Sequence, residues 1–367
     1  MPQELDLAIV GDVQTLAREL AQRLQGTTFA LGKEPHVTYR VLGGGYTLDL
    51  WPLTTDLPED ARRRDFTGNA LFFALPSGPL LDFVEGLKDL REGSLEAIRE
   101  ENLQADPIRV LRGLRLSLTR SLKLTPKSQA MLQQAALRLR SVARERIREE
   151  LSKMLAEVPL PNLWRGGLNL RVWEALGVVF EPLGCDLLGL FSRWENLKKR
   201  PGPWGQAARS LLWASFCLPS LTTGEEPEQA ILRVLPPLGV EGKGLRKLLT
   251  WVKLGENLKK TGCIKAQLAT TPPQRPPLVW WFLRDPNLSF RQMAQTWHWW
   301  RRFSQKPPLL TSTQALALLN LPPGPERALA LAKLRQLQAC GKLRSSSGAK
   351  HFLLRSLAVQ DNGSFQV

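Results

Sequence analysis

Histidine and cysteine are scarce in this chain, and neither clusters. His36, His298 and His351 lie far apart, which argues against a histidine–aspartate metal cluster. Cys185, Cys217, Cys263 and Cys340 show no paired spacing. That excludes a zinc ribbon or a disulfide framework and reads as reduced thiols in a cytoplasmic protein. No apolar run approaches the roughly 18 residues that a membrane helix needs, and residues 1–6 are too polar and acidic for a secretory leader. Acidic residues are outnumbered: 34 Asp and Glu stand against 50 Lys and Arg, a formal charge of +16 with a pI near 10.1. Such an excess points to a polyanionic partner, most simply nucleic acid. An anionic membrane surface suits the charge too, but no amphipathic anchor or lipidation signal accompanies it. At 367 residues the chain is expected to hold about two to four domains.

The stretch over residues 105–115 organises the rest. Asp106 is suited to cap a helix whose first position is Pro107. Arg109 and Arg112 follow Asp106 at spacings of three and six, along one helical face. A capped helix with a solvated basic face accounts for that pattern. So does a carboxylate and a guanidinium one turn apart, an acceptor and a donor for the Watson–Crick edge of a base.

Towards the N-terminus, residues 5–10 read as a short strand. Asp12 then caps a helix with Val13, Leu16, Leu20 and Leu24 on one face, closed by Gly26. Residues 37–42 and 46–50, joined by Gly43-Gly44-Gly45, read as a hairpin. Glu4 and Asp6 share a strand face, and Asp49 lies on the second hairpin strand. Three carboxylates on adjacent strands suit Mg²⁺ ions that activate a hydroxyl and hold a triphosphate; solvated acids at strand ends are also common. Arg62, Arg63 and Arg64 beside a turn suit phosphate binding.

Taken in order, these motifs resemble the class II CCA-adding tRNA nucleotidyltransferase and bacterial poly(A) polymerase family. Glu4-Leu5-Asp6 resembles the family's Asp-x-Asp metal motif, and Asp49 its third carboxylate. Arg63-Arg64-Asp65-Phe66-Thr67 with Asn69-Ala70 is similar to the motif that shapes the sugar and phosphate site. Gly86-Leu87-Lys88-Asp89-Leu90 resembles the hinge between head and neck. Asp106-Pro107-Ile108-Arg109, with Arg112, resembles the motif whose Asp and Arg select C or A, and Arg144-Glu145-Arg146-Ile147 the last neck motif. The match spans residues 4–155.

The resemblance implies a template-independent nucleotidyltransferase that adds CMP and/or AMP to an RNA 3′ end, with tRNA CCA synthesis or repair the leading case. It implies Mg²⁺ at Glu4 and Asp6, with Asp49 as third catalytic carboxylate, and CTP and/or ATP bound by Arg63, Arg64, Asp65, Asn69, Asp106, Arg109 and Arg112. The implied fold is α+β: a small mixed sheet lacking its first strand, then an elongated all-helical neck, body and tail. The lost strand is expected because the family's Gly-Gly-x-Val-Arg-Asp segment has no counterpart before Glu4. Glu4 itself replaces the family's Asp, and Ala105 its Glu. A short segment between Asp49 and Arg62 resembles forms specialised for part of CCA. A relative that only binds RNA, and a poly(A) polymerase, are the competing readings.

The expected division is a head over 1–100, a neck over 101–158, a body over 159–305 and a tail over 306–367. The neck is read as helical from Pro107 to about 158, with a helix over 137–155 whose Arg144, Arg146 and Arg148 face solvent or RNA. The Trp-rich segments around Trp280 and Trp297 have helical spacing and are assigned to core packing, not to base stacking. The basic stretch 243–260 suits either solubility or RNA backbone. A Gly-Pro turn at 324–325 resembles the start of the family's tail helix, whose free N–H groups suit a phosphate.

Overall fold

The computed structural model describes residues 4–32, 37–178, 185–217, 225–260, 264–319 and 325–358. The chain divides into two compact units, Met1–Val142 and Ala143–Val367. His36, Cys263 and most of the predicted turn at 320–325 lie outside the described residues.

The first unit begins with strand β1 (Glu4–Ile9), helix α1 (Val13–Arg23), strand β2 (Thr27–Leu31) and the hairpin β3 (Thr38–Gly43) and β4 (Tyr46–Pro52). They form one sheet in the order β1-β4-β3-β2, with β1 parallel to β4 and the other pairs antiparallel. Alternation along the strands sends Val41, Leu48 and Leu50 to one face, where Val13, Ala17 and Ala21 of α1 cover them. Asp12 caps α1 as its sequence predicts, accepting from the Thr15 N–H at 3.1 Å. The hairpin turns through Gly44 and Gly45 at φ +58° and +80°, the pair of positive angles that a tight primed turn demands. Strand β2 escapes the sequence reading, since Thr-Thr-Phe-Ala-Leu lacks a clean apolar alternation; pairing with β3 makes it a strand.

Next come α2 (Leu57–Arg62), the paired strands β5 (Leu71–Phe73) and β6 (Leu80–Asp82), α3 (Gly86–Glu92) and β7 (Ser94–Leu95). They are followed by α4 (Glu100–Ala105), α5 (Ile108–Thr119), β8 (Lys123–Leu124) and α6 (Pro126–Ala136). The expected helical run from Pro107 is therefore interrupted, because β8 pairs with β7. The single helix expected over 137–155 begins only at Arg144, as α7 (Arg144–Glu157). Leu139–Ser141 is a 3₁₀ turn in which the Ser141 hydroxyl donates to the Arg138 carbonyl at 2.8 Å, a local bond that competes with helix.

Asp106 is not the N-cap residue of α5. The N-cap position of α5 is taken by Pro107, and Asp106 is the residue that closes α4, at φ −135° and ψ 85°. Proline disfavours helical geometry in the residue before it, so Pro107 splits α4 from α5 and leaves the Asp106 carbonyl to accept the Arg109 N–H at 3.1 Å. Close packing elsewhere depends on Gly86: a Cβ there meets the Thr67 carbonyl oxygen at 2.3 Å. That contact seats α3 against the segment after α2, where the Thr67 hydroxyl donates to Asp89 at 2.6 Å.

The second unit is helical. Trp164, Trp173, Trp194, Trp280 and Trp300 are fully buried, and the last two bear out the core role expected of the segments around Trp280 and Trp297. Four of the indole N–H groups donate to internal acceptors: Trp173 to the Trp164 carbonyl at 2.9 Å, Trp194 to the Ala208 carbonyl at 3.1 Å, Trp280 to the Glu256 carboxylate at 2.9 Å and Trp300 to the Thr271 carbonyl at 3.0 Å. A smaller cluster around Leu310, Leu334 and Leu353 packs the C-terminal helices. No helix among the described residues is long and apolar enough to cross a membrane.

Candidate active site

The sheet face opposite α1 carries the predicted carboxylates. Register aligns four residues in one cross-strand row: Asp6 of β1 pairs with Asp49 of β4, Asp49 with Arg40 of β3, and Arg40 with Phe29 of β2. Glu4 lies on the same face, two residues before Asp6. Arg40 grips Asp49 through both carboxylate oxygens, with Nε donating at 2.7 Å and Nη2 at 2.6 Å. A cross-strand arginine, absent from the sequence reading, thus sits directly opposite the third carboxylate.

Asp6 is held above the ordinary aspartate pKa. Partial loss of water around the carboxylate is the first cause and the charge of Asp49 the second, with Glu4 adding to it; Arg64 and Arg112 pull the other way. Among the described residues, no cluster of three or more His, Cys, Asp or Glu side chains is assembled for a metal. Two carboxylates on one strand nevertheless suit Mg²⁺, which keeps several waters and takes one or two carboxylates plus substrate phosphates. The mutual repulsion of Glu4, Asp6 and Asp49 is what a divalent cation relieves.

The arginine segment after α2 is organised by a carboxylate that sequence reading passed over. Asp60 is buried and takes Arg63 on one oxygen, from Nε at 2.7 Å, and Arg64 on the other, from Nη2 at 3.0 Å. The Arg64 guanidinium also lies over Phe72, 4.6 Å from its centroid, and over Trp51 at 5.4 Å. Trp51 stands two residues beyond Asp49, on the carboxylate face of β4. The segment carries charge towards Asp6 through Arg64, while Arg63 is the more exposed of the two.

Asp65 is turned inward. It accepts from the Phe66 N–H at 2.9 Å, the Asn69 amide at 3.0 Å and Arg112 at 3.0 Å. With only 4% of its side chain exposed, Asp65 fixes Asn69 and Arg112 and offers little surface of its own. Arg109 ties the predicted base-reading motif to the arginine segment. Its Nη1 donates to the Arg63 carbonyl at 2.9 Å and the Asn102 carbonyl at 3.3 Å, while its Nε stands 3.9 Å from Asp106. Asn102, unremarked in the sequence, donates to the carbonyls of Arg62 and Arg64 at 2.7 Å each. The predicted motifs from β1 to α5 therefore meet within one unit.

In the second unit, Arg144, Arg146 and Arg148 are all exposed on α7. At 100° per residue Arg144 and Arg148 share a side and Arg146 points away from it. Arg144 also pairs with Glu241 at 2.5 Å.

Comparison with known proteins places the chain in a family. Residues 47–96 match the family described as the poly A polymerase head domain. The CC-adding tRNA nucleotidyltransferase of Thermus thermophilus is 30% identical over 96% of this chain and 89% of its own length. The A-adding enzyme of Deinococcus radiodurans is 29% identical, over 92% of this chain and 88% of its own. In fold, the Thermotoga maritima CCA-adding enzyme complexed with tRNA superposes with a TM-score of 0.65 at 18% identity, covering 97% of this chain and 87% of that one. The chain belongs to the class II tRNA nucleotidyltransferase and poly(A) polymerase family.

Proposed function

We propose that this protein adds CMP and/or AMP, without a template, to the 3′ end of tRNA, completing all or part of CCA in the cytoplasm. The observation that carries the reading is the link from Arg109 to Arg63, which joins a candidate base reader to a candidate phosphate site.

In this reading the head over 1–100 holds the chemistry, the neck over 101–158 reads the base, and the neck and the tail over 306–367 hold RNA, with the body over 159–305 between them in sequence. Glu4 and Asp6 are the residues that would hold Mg²⁺. When bound, Mg²⁺ supplies Lewis-acid activation of the RNA 3′ hydroxyl and charge for the triphosphate. Asp49, oriented by Arg40, accepts the hydroxyl proton as the 3′ oxygen bonds to the α-phosphorus. The bond from that phosphorus to the β-phosphate oxygen breaks, and pyrophosphate leaves. Arg63, Arg64 and Arg112, positioned by Asp60 and Asp65, counter the phosphate charge. Asp106 accepts from the amino group of cytosine or adenine and Arg109 donates to the neighbouring ring acceptor. Uracil and guanine present a carbonyl to the carboxylate instead. Arg144, Arg146 and Arg148 contact the RNA backbone.

The test is single-nucleotide incorporation into tRNA ending before C74, before C75 and before A76, with each of the four triphosphates in turn. The proposal expects CMP and/or AMP at defined positions. Homopolymeric A tails on unrelated RNA favour a poly(A) polymerase, and RNA binding without incorporation favours a relative without chemistry.

A further inference from the structure

Solvent-exposed apolar side chains are ordinary when scattered. On the carboxylate face of this sheet they are not scattered. Phe29 is 43% exposed, Leu42 39% and Leu31 36%. The register places all three on the face that holds Asp6 and Asp49: Phe29 opposite Arg40, Leu42 opposite Thr27, and Leu31 opposite Thr38. None belongs to the core that packs against α1. An aromatic side chain thus closes a row that runs carboxylate, carboxylate, guanidinium, ring.

We infer that this row is the seat of the acceptor RNA's own 3′-terminal nucleotide, whose base stacks on Phe29 between Leu31 and Leu42. The inference rests on the nucleotidyltransferase reading and deepens it. Two strand spacings, about 10 Å, separate Asp49 from Phe29, comparable with the length of one nucleoside. With its 3′ hydroxyl at Asp49, a terminal nucleoside laid along the row brings its base to the ring. Arg40 lies between the two, a cation beside the path of the RNA backbone. Base–aromatic stacking tolerates every base, as an acceptor end that changes from one addition to the next requires. The incoming nucleotide has a different candidate reader in Asp106 and Arg109, so it makes no claim on this apolar surface. Continuity with the carboxylates and the cation at mid-row favour RNA over a second copy of the chain as occupant.

The experiment uses the full chain with tRNA ending in 5-iodocytidine, irradiated without added nucleotide. The cross-link is expected in the peptide carrying residues 27–31 and is expected to be lost in Phe29→Ala. In steady-state assays Phe29→Ala should raise KM for the RNA about tenfold while KM for the nucleotide moves less than about twofold. Phe29→Trp should restore RNA affinity. Phe29→Leu, which keeps an apolar side chain but no ring, should behave like Ala and covers the case in which Ala fails to fold. A cross-link elsewhere, an unchanged RNA KM in Phe29→Leu, or dissociation of a dimer by Phe29→Leu in sedimentation overturns the assignment. Failure of the wild-type chain to incorporate any nucleotide instead overturns the enzyme reading; the cross-link needs no turnover and still decides Phe29.

Discussion

Arg40 closes on both oxygens of Asp49, at 2.7 and 2.6 Å, across a single strand boundary. This pairing leaves Asp6 as the carboxylate exposed to the full effect of its neighbours. Its raised pKa means that it gains a proton at a higher pH than an ordinary aspartate at 3.8. Activity and Mg²⁺ affinity should therefore fall, as the medium is acidified, earlier than an isolated carboxylate allows. Asp49→Asn removes a negative neighbour and frees Arg40, so it should move the Asp6 titration down. Carboxyl carbon NMR of Asp6 in the two proteins is the measurement, and an upward or absent shift contradicts the proposed cause.

Asp106→Ala separates base reading from helix stability. Because Pro107 and not Asp106 stands at the N-cap of α5, the variant should lose less than the roughly 1 kcal/mol of a lost cap. Its preference for CTP or ATP over UTP should shrink by about 1–3 kcal/mol. Chemical denaturation and competitive incorporation read the two effects independently; an unchanged CTP/UTP ratio removes Asp106 from selection.

Trp51→Ala should cost nucleotide binding. It opens one side of the slot in which Arg64 lies, leaving Phe72 and Asp60 to hold the guanidinium. KM for the triphosphate should rise severalfold, since an exposed cation–π contact contributes about 0.5–1 kcal/mol and more where water is excluded. Trp51→Phe should recover most of the loss. A KM that does not move in either variant means that Arg64 is held well enough by Asp60 alone.

Gly86→Ala should destabilise the first unit by about 1–3 kcal/mol, because the added Cβ falls 2.3 Å from the Thr67 carbonyl oxygen. Neither atom is the end of a flexible side chain. Urea titration measures the loss, and a stability equal to that of the wild type shows that α3 shifts freely.

RNA affinity should fall steeply with salt, as released counterions require. Replacing both Arg144 and Arg148 by Ala, which share one side of α7, should reduce the log–log salt slope by about 2 if each meets a phosphate. Filter binding between about 50 and 200 mM salt checks this, and Arg146→Ala tests the opposite side. A slope unchanged by the double substitution leaves α7 out of the RNA path.

The motifs legible in the sequence were those set by short-range chemistry. The cap at Asp12, the glycine turn at 44–45 and the shared face of Glu4 and Asp6 all follow from neighbours along the chain. What escaped depends on partners far away in sequence. Asp60 looks like one more acid in Pro-Glu-Asp until both arginines fold back on it. Asn102 gives no sign that it will hold the backbone of residues 62 and 64. Asp106 misled because its cap signal was local, whereas the following proline sets its backbone and turns the residue into the end of the preceding helix.

The twelve tryptophans are divided unevenly, with Trp51 alone in the first unit and the other eleven in the second. Near-ultraviolet absorption and emission therefore report on the helical unit almost exclusively. A melt followed at those wavelengths can stay flat while the carboxylate sheet has already come apart. Conversely, a chain in which Trp51 alone is labelled with 5-fluorotryptophan carries a single resonance in the sheet, next to Arg64, whose shift can register a triphosphate arriving there.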